Sequence, residues 1–152
     1  MRKLKVYLSE LEVYSEYAET KHLLVSSATV GWHVEHTLLV IIKTIDAIKN
    51  SDPHNYKWRF NLARFIVFSI NKIPRGKGKA PEIVQPEKQE NINFNKLLDR
   101  TRVALNDFKN FHPNQFVKHP VFGLLNKKQA GILLDIHTRH HLLIINDILS
   151  KN

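Results

Sequence analysis

The spacing of apolar residues along the chain predicts helices. Over the first 22 residues, apolar side chains recur every three or four positions with glutamates between them, at Leu4, Leu8, Leu11, Tyr14 and Tyr17. This period places them on one face of an amphipathic helix, because an α-helix has about 3.6 residues per turn. The pattern predicts a first helix that ends near His22.

A second helix is predicted from about 27–29 to Asn50. Small hydroxyl residues at its start can accept the free N–H groups of a first helical turn, and the sequence Ser-Asp-Pro at 51–53 stops it. Apolar residues occupy nearly every face of this segment, including the unbroken run 38–42. We therefore expect a central helix that other elements surround. Each polar side chain in it would be buried and would need a hydrogen bond or an ion as partner.

Three further helices are predicted, at 56–70, at 94–111 and from about Lys127 onward. The first of them is short and carries an apolar stripe made of Trp58, Leu62, Phe65 and Ile66. The connection 73–91 has no periodicity and is rich in proline, glycine and basic residues, and a turn-rich stretch precedes the last helix at 112–120.

The succession of predicted helices favours an all-α fold. There is neither an internal repeat nor a strand-like alternation in the sequence. We expect one domain over residues 1–152, built as a four-helix bundle with a long crossover loop and an extra short helix.

Composition limits where the protein works and how it can bind a metal. With 152 residues, 43% of them hydrophobic, the chain can bury a sizeable core, but its longest aliphatic run is far below the roughly 20 residues of a membrane-spanning helix. Ser9, Glu10 and Glu12 interrupt any secretory signal, so we expect a cytoplasmic protein without a membrane partner. There is no cysteine, so a metal ion would need histidine or oxygen ligands.

The formal net charge of +9 has several explanations. The first 50 residues are neutral, and the basic excess lies beyond them. It is neither concentrated on one helix face nor joined to a recognised nucleic-acid motif, so nucleic acid is not the favoured partner. An anionic small-molecule substrate fits the charge as well.

Two histidines of the last helix are candidates for metal ligands. His137 and His141 are four residues apart and share a helix face, and the aliphatic stripe of this helix passes through both. The members of that stripe are Ala130, Leu133, Leu134, Ile144, Ile145 and Ile148. Two imidazoles buried side by side are unfavourable unless each finds a hydrogen bond or a cation. A shared metal ion would satisfy both, and ordinary hydrogen-bonded core histidines are the alternative.

His36 on the second helix can supply a third imidazole from across the core. His33 can replace or back it, although an ordinary packing or surface histidine is the favoured interpretation of His33. The chain has no His-Glu-x-x-His element and no repeated Glu-x-x-His element. A site with two histidines and one carboxylate lacks its acid, because Asp135 and Glu35 point away from their neighbouring histidines. Three histidines suit zinc, nickel or iron and leave a position open for water or substrate.

These residues resemble a known superfamily. The order and spacing of a histidine in the second helix and a His-x-x-x-His element in the last one are similar to the DinB/YfiT-like superfamily of metal-binding four-helix bundles. Segments 73–81, 119–125 and 137–142 resemble, more narrowly, an uncharacterised branch of it that is defined only as a domain of unknown function.

The resemblance implies an up-down-down-up bundle, often a homodimer, with a divalent metal ion, zinc or nickel, on His36, His137 and His141. His140 and His33 would then stand behind the ligands. Characterised relatives include transferases and isomerases that use a low-molecular-weight thiol, which the metal is thought to activate. The substrate determinants of the well-studied members are missing here, so their substrates are not carried over.

Two functions remain at this point. The first is a metal-dependent enzyme, a transferase or hydrolase in which the ion activates water or a low-molecular-weight thiol and the basic residues Arg75, Lys77 and Lys79 bind an anionic substrate. A solvated crossover is the plainer interpretation of that basic loop. The second function is a non-catalytic dimeric bundle, a binding or stress-response protein with a vestigial metal site.

Overall fold

The computed structural model describes residues 2–75 and 93–151. In chain order, its helices and strands are α1 (Arg2–Tyr14), α2 (Val30–Lys49), α3 (Leu62–Ile70), α4 (Phe94–Phe108), β1 (Phe116–His119), β2 (Gly123–Asn126) and α5 (Lys127–Leu149). Short 3-10 turns occupy Ser15–Tyr17 and Pro53–Asn55. None of the helices in the described ranges is long and apolar enough to cross a membrane.

The central position predicted for α2 is confirmed. It packs against α4 and α5, while α1 packs mainly on α5. The most deeply buried side chains of α2 are aliphatic, and they join those of the other three long helices in one hydrophobic cluster. Burial on all sides explains why α2 carries apolar residues on nearly every face.

Three hydrogen bonds hold the start of α2. The hydroxyl of Thr29 accepts a hydrogen bond from the N–H of Trp32 at 3.2 Å, as predicted for a hydroxyl cap. The first N–H groups of the helix donate to the turn before it, Val30 to the carbonyl of Thr20 and Gly31 to that of Ala18, both at 2.9 Å. These bonds satisfy donors that a helix start otherwise leaves free.

The first helix is shorter than predicted. It ends at Tyr14 and continues only as a 3-10 turn to Tyr17, whereas the sequence pattern suggested a helix to His22. Beyond Tyr17 the chain turns, with the N–H of Thr20 donating to the carbonyl of Tyr17, and the carbonyls of Ala18 and Thr20 accept hydrogen bonds from the start of α2.

The third helix differs from the prediction in length and in exposure. Asn61 has an extended backbone (φ −142°) and its side chain caps the helix, so α3 begins at Leu62 and not at Tyr56. The predicted apolar stripe is largely exposed: Trp58, Leu62, Phe65 and Ile66. Its buried face carries Arg64 and Val67 instead.

The prediction of an all-α fold was wrong in one segment. Strands β1 and β2, which follow the turn-rich stretch, form an antiparallel hairpin with Phe116 opposite Asn126 and His119 opposite Gly123. Gly123 has a φ of +69°, which favours glycine. Arg64 ties α3 to this hairpin, since its guanidinium donates to the carbonyl oxygens of Leu124 at 2.9 Å and Phe122 at 3.4 Å.

Two glycines test the close approach at the start of α2. A Cβ added to Gly31 would lie 2.9 Å from the Cβ of Ala18 and 3.0 Å from its carbonyl oxygen, whereas one added to Gly131 would meet Phe108 at an ordinary 3.6 Å. We expect Gly31→Ala to lower the free energy of unfolding by about 1–3 kcal/mol through overpacking. Gly131→Ala should raise it by about 0.5–1 kcal/mol, as alanine does in helices. Urea unfolding measures both, and equal effects would contradict the close approach.

Arg64 gives a second stability prediction. Its guanidinium is buried and also donates to the carbonyl of Arg59. We expect Arg64→Gln to lower the free energy of unfolding by roughly 1–3 kcal/mol, because the shorter side chain leaves buried carbonyl groups without donors. Arg59→Gln is the control, since the Arg59 side chain is exposed and its loss should change stability by less than about 0.5 kcal/mol. If the two variants lost similar amounts of unfolding free energy, the buried hydrogen bonds of Arg64 would have no specific stabilising effect.

Candidate metal centre

Three histidines converge between α2 and α5. His36, His137 and His141 each offer one ring nitrogen, and these three atoms lie within 4.8 Å of one another. The ring centroids are 5.2 Å apart for His36 and His137, 4.8 Å for His36 and His141, and 4.5 Å for His137 and His141. His36 and His141 are buried and His137 is half-buried.

The hydrophobic core holds this cluster in place. Leu134 and Ile145 lie about one turn before and after the two histidines of α5, and both are almost fully buried. On α2, Val34 and Leu38 flank His36 and have no exposed surface. The histidines therefore project from rigid, packed helices, which limits how far their rings can move.

The surroundings favour the neutral form of His137 and His141. Burial lowers the pKa of His137 and of His141 well below the ordinary value of 6.5, and the neighbouring histidines lower both pKa values further. A neutral imidazole carries a free lone pair on one nitrogen, which is the form that binds zinc and similar ions.

One atom of the cluster lacks a partner of its own. Within residues 2–75 and 93–151, the Nδ1 of His137 is buried and has no hydrogen-bond partner. A buried polar atom of this kind is costly unless water or an ion satisfies it. A tetrahedral zinc ion holds its nitrogen ligands about 3.4 Å apart, so the three ring nitrogens, which lie within 4.8 Å of one another, would need to approach by at most about 1.4 Å. The cluster fits a divalent cation.

His33 lies behind the cluster. It is not one of the three converging histidines, and its Nδ1 is instead 3.0 Å from the Nδ1 of His141. Its Nε2 lies 3.0 Å from the hydroxyl oxygen of Ser26. Burial, followed by the nearby His36 and His140, lowers the pKa of His33 to about 4. His33 is therefore buried and not a surface histidine, and its contact with His141 places it behind the three converging rings.

Two residues at the cluster were not predicted as functional. Trp32 stacks on His36 with centroids 4.8 Å apart and an interplanar angle of 10°, and it meets His33 edge-on at 5.1 Å. The spacing of Trp32 and His36, four residues apart on one helix, was the available signal. Ser26 had none, because it precedes α2 and reaches His33 only through the fold.

His140 faces a different cavity from the three converging histidines. It lines a pocket of about 550 Å³ together with Lys72, Arg75 and Arg139, on an otherwise mainly apolar floor. A hydrogen bond with the backbone of Ile73 favours the charged form of its ring, yet burial, with Arg75 next, lowers its pKa. Its ring stands edge-on to His141 at 5.2 Å, so this pocket lies one ring away from the candidate metal centre.

The basic loop is only partly described. Arg75 forms an ion pair with Asp147 at 2.6 Å and lines the pocket. Lys77 and Lys79 lie outside the described residues.

The lowered histidine pKa values predict how the stability of the metal-free protein depends on pH. Below about pH 6.5 the unfolded chain binds protons at His33, His137 and His141 that the folded chain does not bind. The free energy of unfolding should be highest above pH 6.5 and fall as the pH drops toward 5, by up to about 1.4 kcal/mol per unit for each histidine. Urea unfolding in chelator measures this slope. His137→Gln should reduce it, and an equal slope in this variant would contradict the burial of a neutral ring.

The comparisons with known proteins place the chain in a family. One family model, described as "Protein of unknown function (DUF1569)", matches residues 32–147, a stretch that contains all three converging histidines. Searches of curated proteins and of solved structures find no match. Because the family model covers well over half of the sequence, the chain belongs to the DUF1569 family of proteins of unknown function.

Proposed function

We propose that this protein is a metal-dependent enzyme of the DinB-like type, in which His36, His137 and His141 hold one divalent ion, zinc or nickel. The observation that carries the proposal is the convergence of three imidazole nitrogens within 4.8 Å, from two helices that bury them in an apolar core. Within the described residues, the buried Nδ1 of His137 has no hydrogen-bond partner, and an ion bound at the cluster would satisfy it.

The donor set favours a catalytic site over a structural one. Structural zinc sites are usually closed by four protein ligands, whereas catalytic sites keep one position open. The cluster found among the described residues has three histidines and neither a carboxylate nor a thiolate. When bound there, a divalent ion would lower the pKa of a coordinated water or external thiol and so supply a nucleophile near neutral pH.

The residues around the cluster have separate tasks in this proposal. Trp32 covers one face of His36 and keeps water from that side. The pocket beside His140 offers cationic groups, Lys72 and Arg139, above an apolar floor, which suits a small anionic substrate. Such a substrate would lie one imidazole ring from the ion.

The finer architecture is part of the proposal. We propose that α1, α2, α4 and α5 form the up-down-down-up bundle of the DinB/YfiT-like superfamily, with α3 as the extra short helix. The packing of α2 on α4 and α5, and of α1 on α5, supports this arrangement. The homodimer, the thiol co-substrate and the cytoplasmic location stay predictions.

Metal binding by the purified chain tests the proposal. After chelator treatment and dialysis, titration with Co²⁺ should give the visible absorption of a bound ion, and Zn²⁺ should displace it. His137→Gln should weaken the affinity by about 100-fold or more, because it removes one of three ligands. His140→Gln is the matched control, a neighbouring histidine on the same helix whose side chain lines the other pocket.

Equal affinities in the two variants would show that the ion, if it binds, is not held by the three histidines.

Turnover separates the enzyme from a non-catalytic binding protein with a vestigial site. The zinc- or nickel-loaded protein should transfer a low-molecular-weight thiol to an electrophile or hydrolyse an ester, and His137→Gln should abolish that activity. Tight binding without any turnover would favour the binding protein.

A further inference from the structure

A line of hydrogen bonds runs from the loop before α2 to the candidate metal centre. It joins the hydroxyl of Ser26 to the Nε2 of His33 at 3.0 Å, and the Nδ1 of His33 to the Nδ1 of His141 at 3.0 Å. We propose that His33 is a positioning residue that acts through His141, and that Ser26 holds His33 in place. The proposal rests on the proposed function, since it concerns how a metal ligand is prepared.

The first step concerns the ring nitrogens of His141. A hydrogen bond between two imidazole nitrogens needs one proton between them, so one ring donates and the other accepts. With its Nδ1 engaged by His33, His141 can bind an ion only through Nε2, which must then carry a lone pair. The proton of the neutral ring therefore stays on Nδ1, and His141 donates to His33.

The second step follows the line outward. Because the Nδ1 of His33 accepts, its proton lies on Nε2 and is donated to the hydroxyl oxygen of Ser26. That oxygen also accepts from the N–H of Ala28 at 3.1 Å, which fixes its position relative to the backbone. The hydroxyl has two acceptor sites, so both donors can be satisfied at once.

The third step is the effect on the ligand. A hydrogen-bond acceptor behind a metal-bound histidine fixes the orientation of the ring and makes its other nitrogen more basic. The acceptor is usually a carboxylate or a carbonyl group. Here it is a second buried histidine, whose backbone carbonyl in turn accepts a hydrogen bond from the buried hydroxyl of Thr37 at 2.7 Å.

Nuclear magnetic resonance of the ¹⁵N-labelled full chain tests the line without a metal. We expect a scalar coupling across the hydrogen bond between the Nδ1 atoms of His33 and His141. With Zn²⁺ added, the coupling should persist with its proton on His141, and the Nε2 of His141 should show the chemical shift of a coordinated nitrogen. Absence of the coupling from both states would overturn the proposal.

Variants test what the line does for the ion. His33→Leu should weaken Zn²⁺ affinity by about 10- to 100-fold and alter the Co²⁺ absorption spectrum, since the acceptor is lost. His33→Asn should recover much of the affinity, because its amide oxygen can accept near the position of Nδ1. Ser26→Ala should have a smaller effect in the same direction, and His54→Gln, at an exposed histidine outside the cluster, should have none.

The outcomes separate the two proposals. If the parent protein shows the coupling but binds no Zn²⁺, the proposed function fails and His33 has no ion to serve. If the parent binds Zn²⁺ and His33→Leu binds it equally well with an unchanged Co²⁺ spectrum, the positioning role is overturned while the metal site stands. Should His33→Leu fail to fold, the comparison of His33→Asn with the parent and the coupling in the parent still decide.

Discussion

The packing of α2 against α5 is the contact on which the candidate site depends. The two helices pack against each other, and aliphatic side chains of both, such as Leu38, Ile41 and Ile145, are almost completely buried. Full burial of one such side chain contributes about 1.5–3 kcal/mol. This gain offsets the cost of burying several imidazoles in the same interface. The histidines lie close together because burial of the surrounding hydrophobic side chains holds α2 and α5 against each other.

The cluster is also held from the ends of its helices. The first N–H groups of α2 donate to the carbonyls of Ala18 and Thr20. These bonds fix the position of the first turns of α2, which carry Trp32, His33 and His36. At the start of α5, the capping box of Asn126 and Gln129 sets where the helix begins. Backbone hydrogen bonds of this kind fix helix ends without using the residues that do chemistry.

The surroundings give the candidate site two unlike sides. On one side Trp32, His33 and Ser26 form a packed and hydrogen-bonded wall behind the imidazoles. On the other side, His140 separates the cluster from a pocket with cationic groups. Packed residues behind the imidazoles and a cationic pocket beside them are consistent with the proposed function, in which the cluster holds an ion next to an anionic substrate.

The sequence by itself determined three of the long helices and the two histidines of α5 that share one face. The 3.6-residue period located α2, α4 and α5 closely, and the hydroxyl cap at Thr29 was predicted because its chemistry is local. The same period placed His137 and His141 on one face, since residues four positions apart on a helix point in nearly the same direction. Only the tertiary structure decided which residues stand behind them. The hydrogen bond between His33 and His141, and the bonds from Arg64 to the hairpin at 116–126, join residues more than 50 positions apart, and no local spacing encodes such contacts.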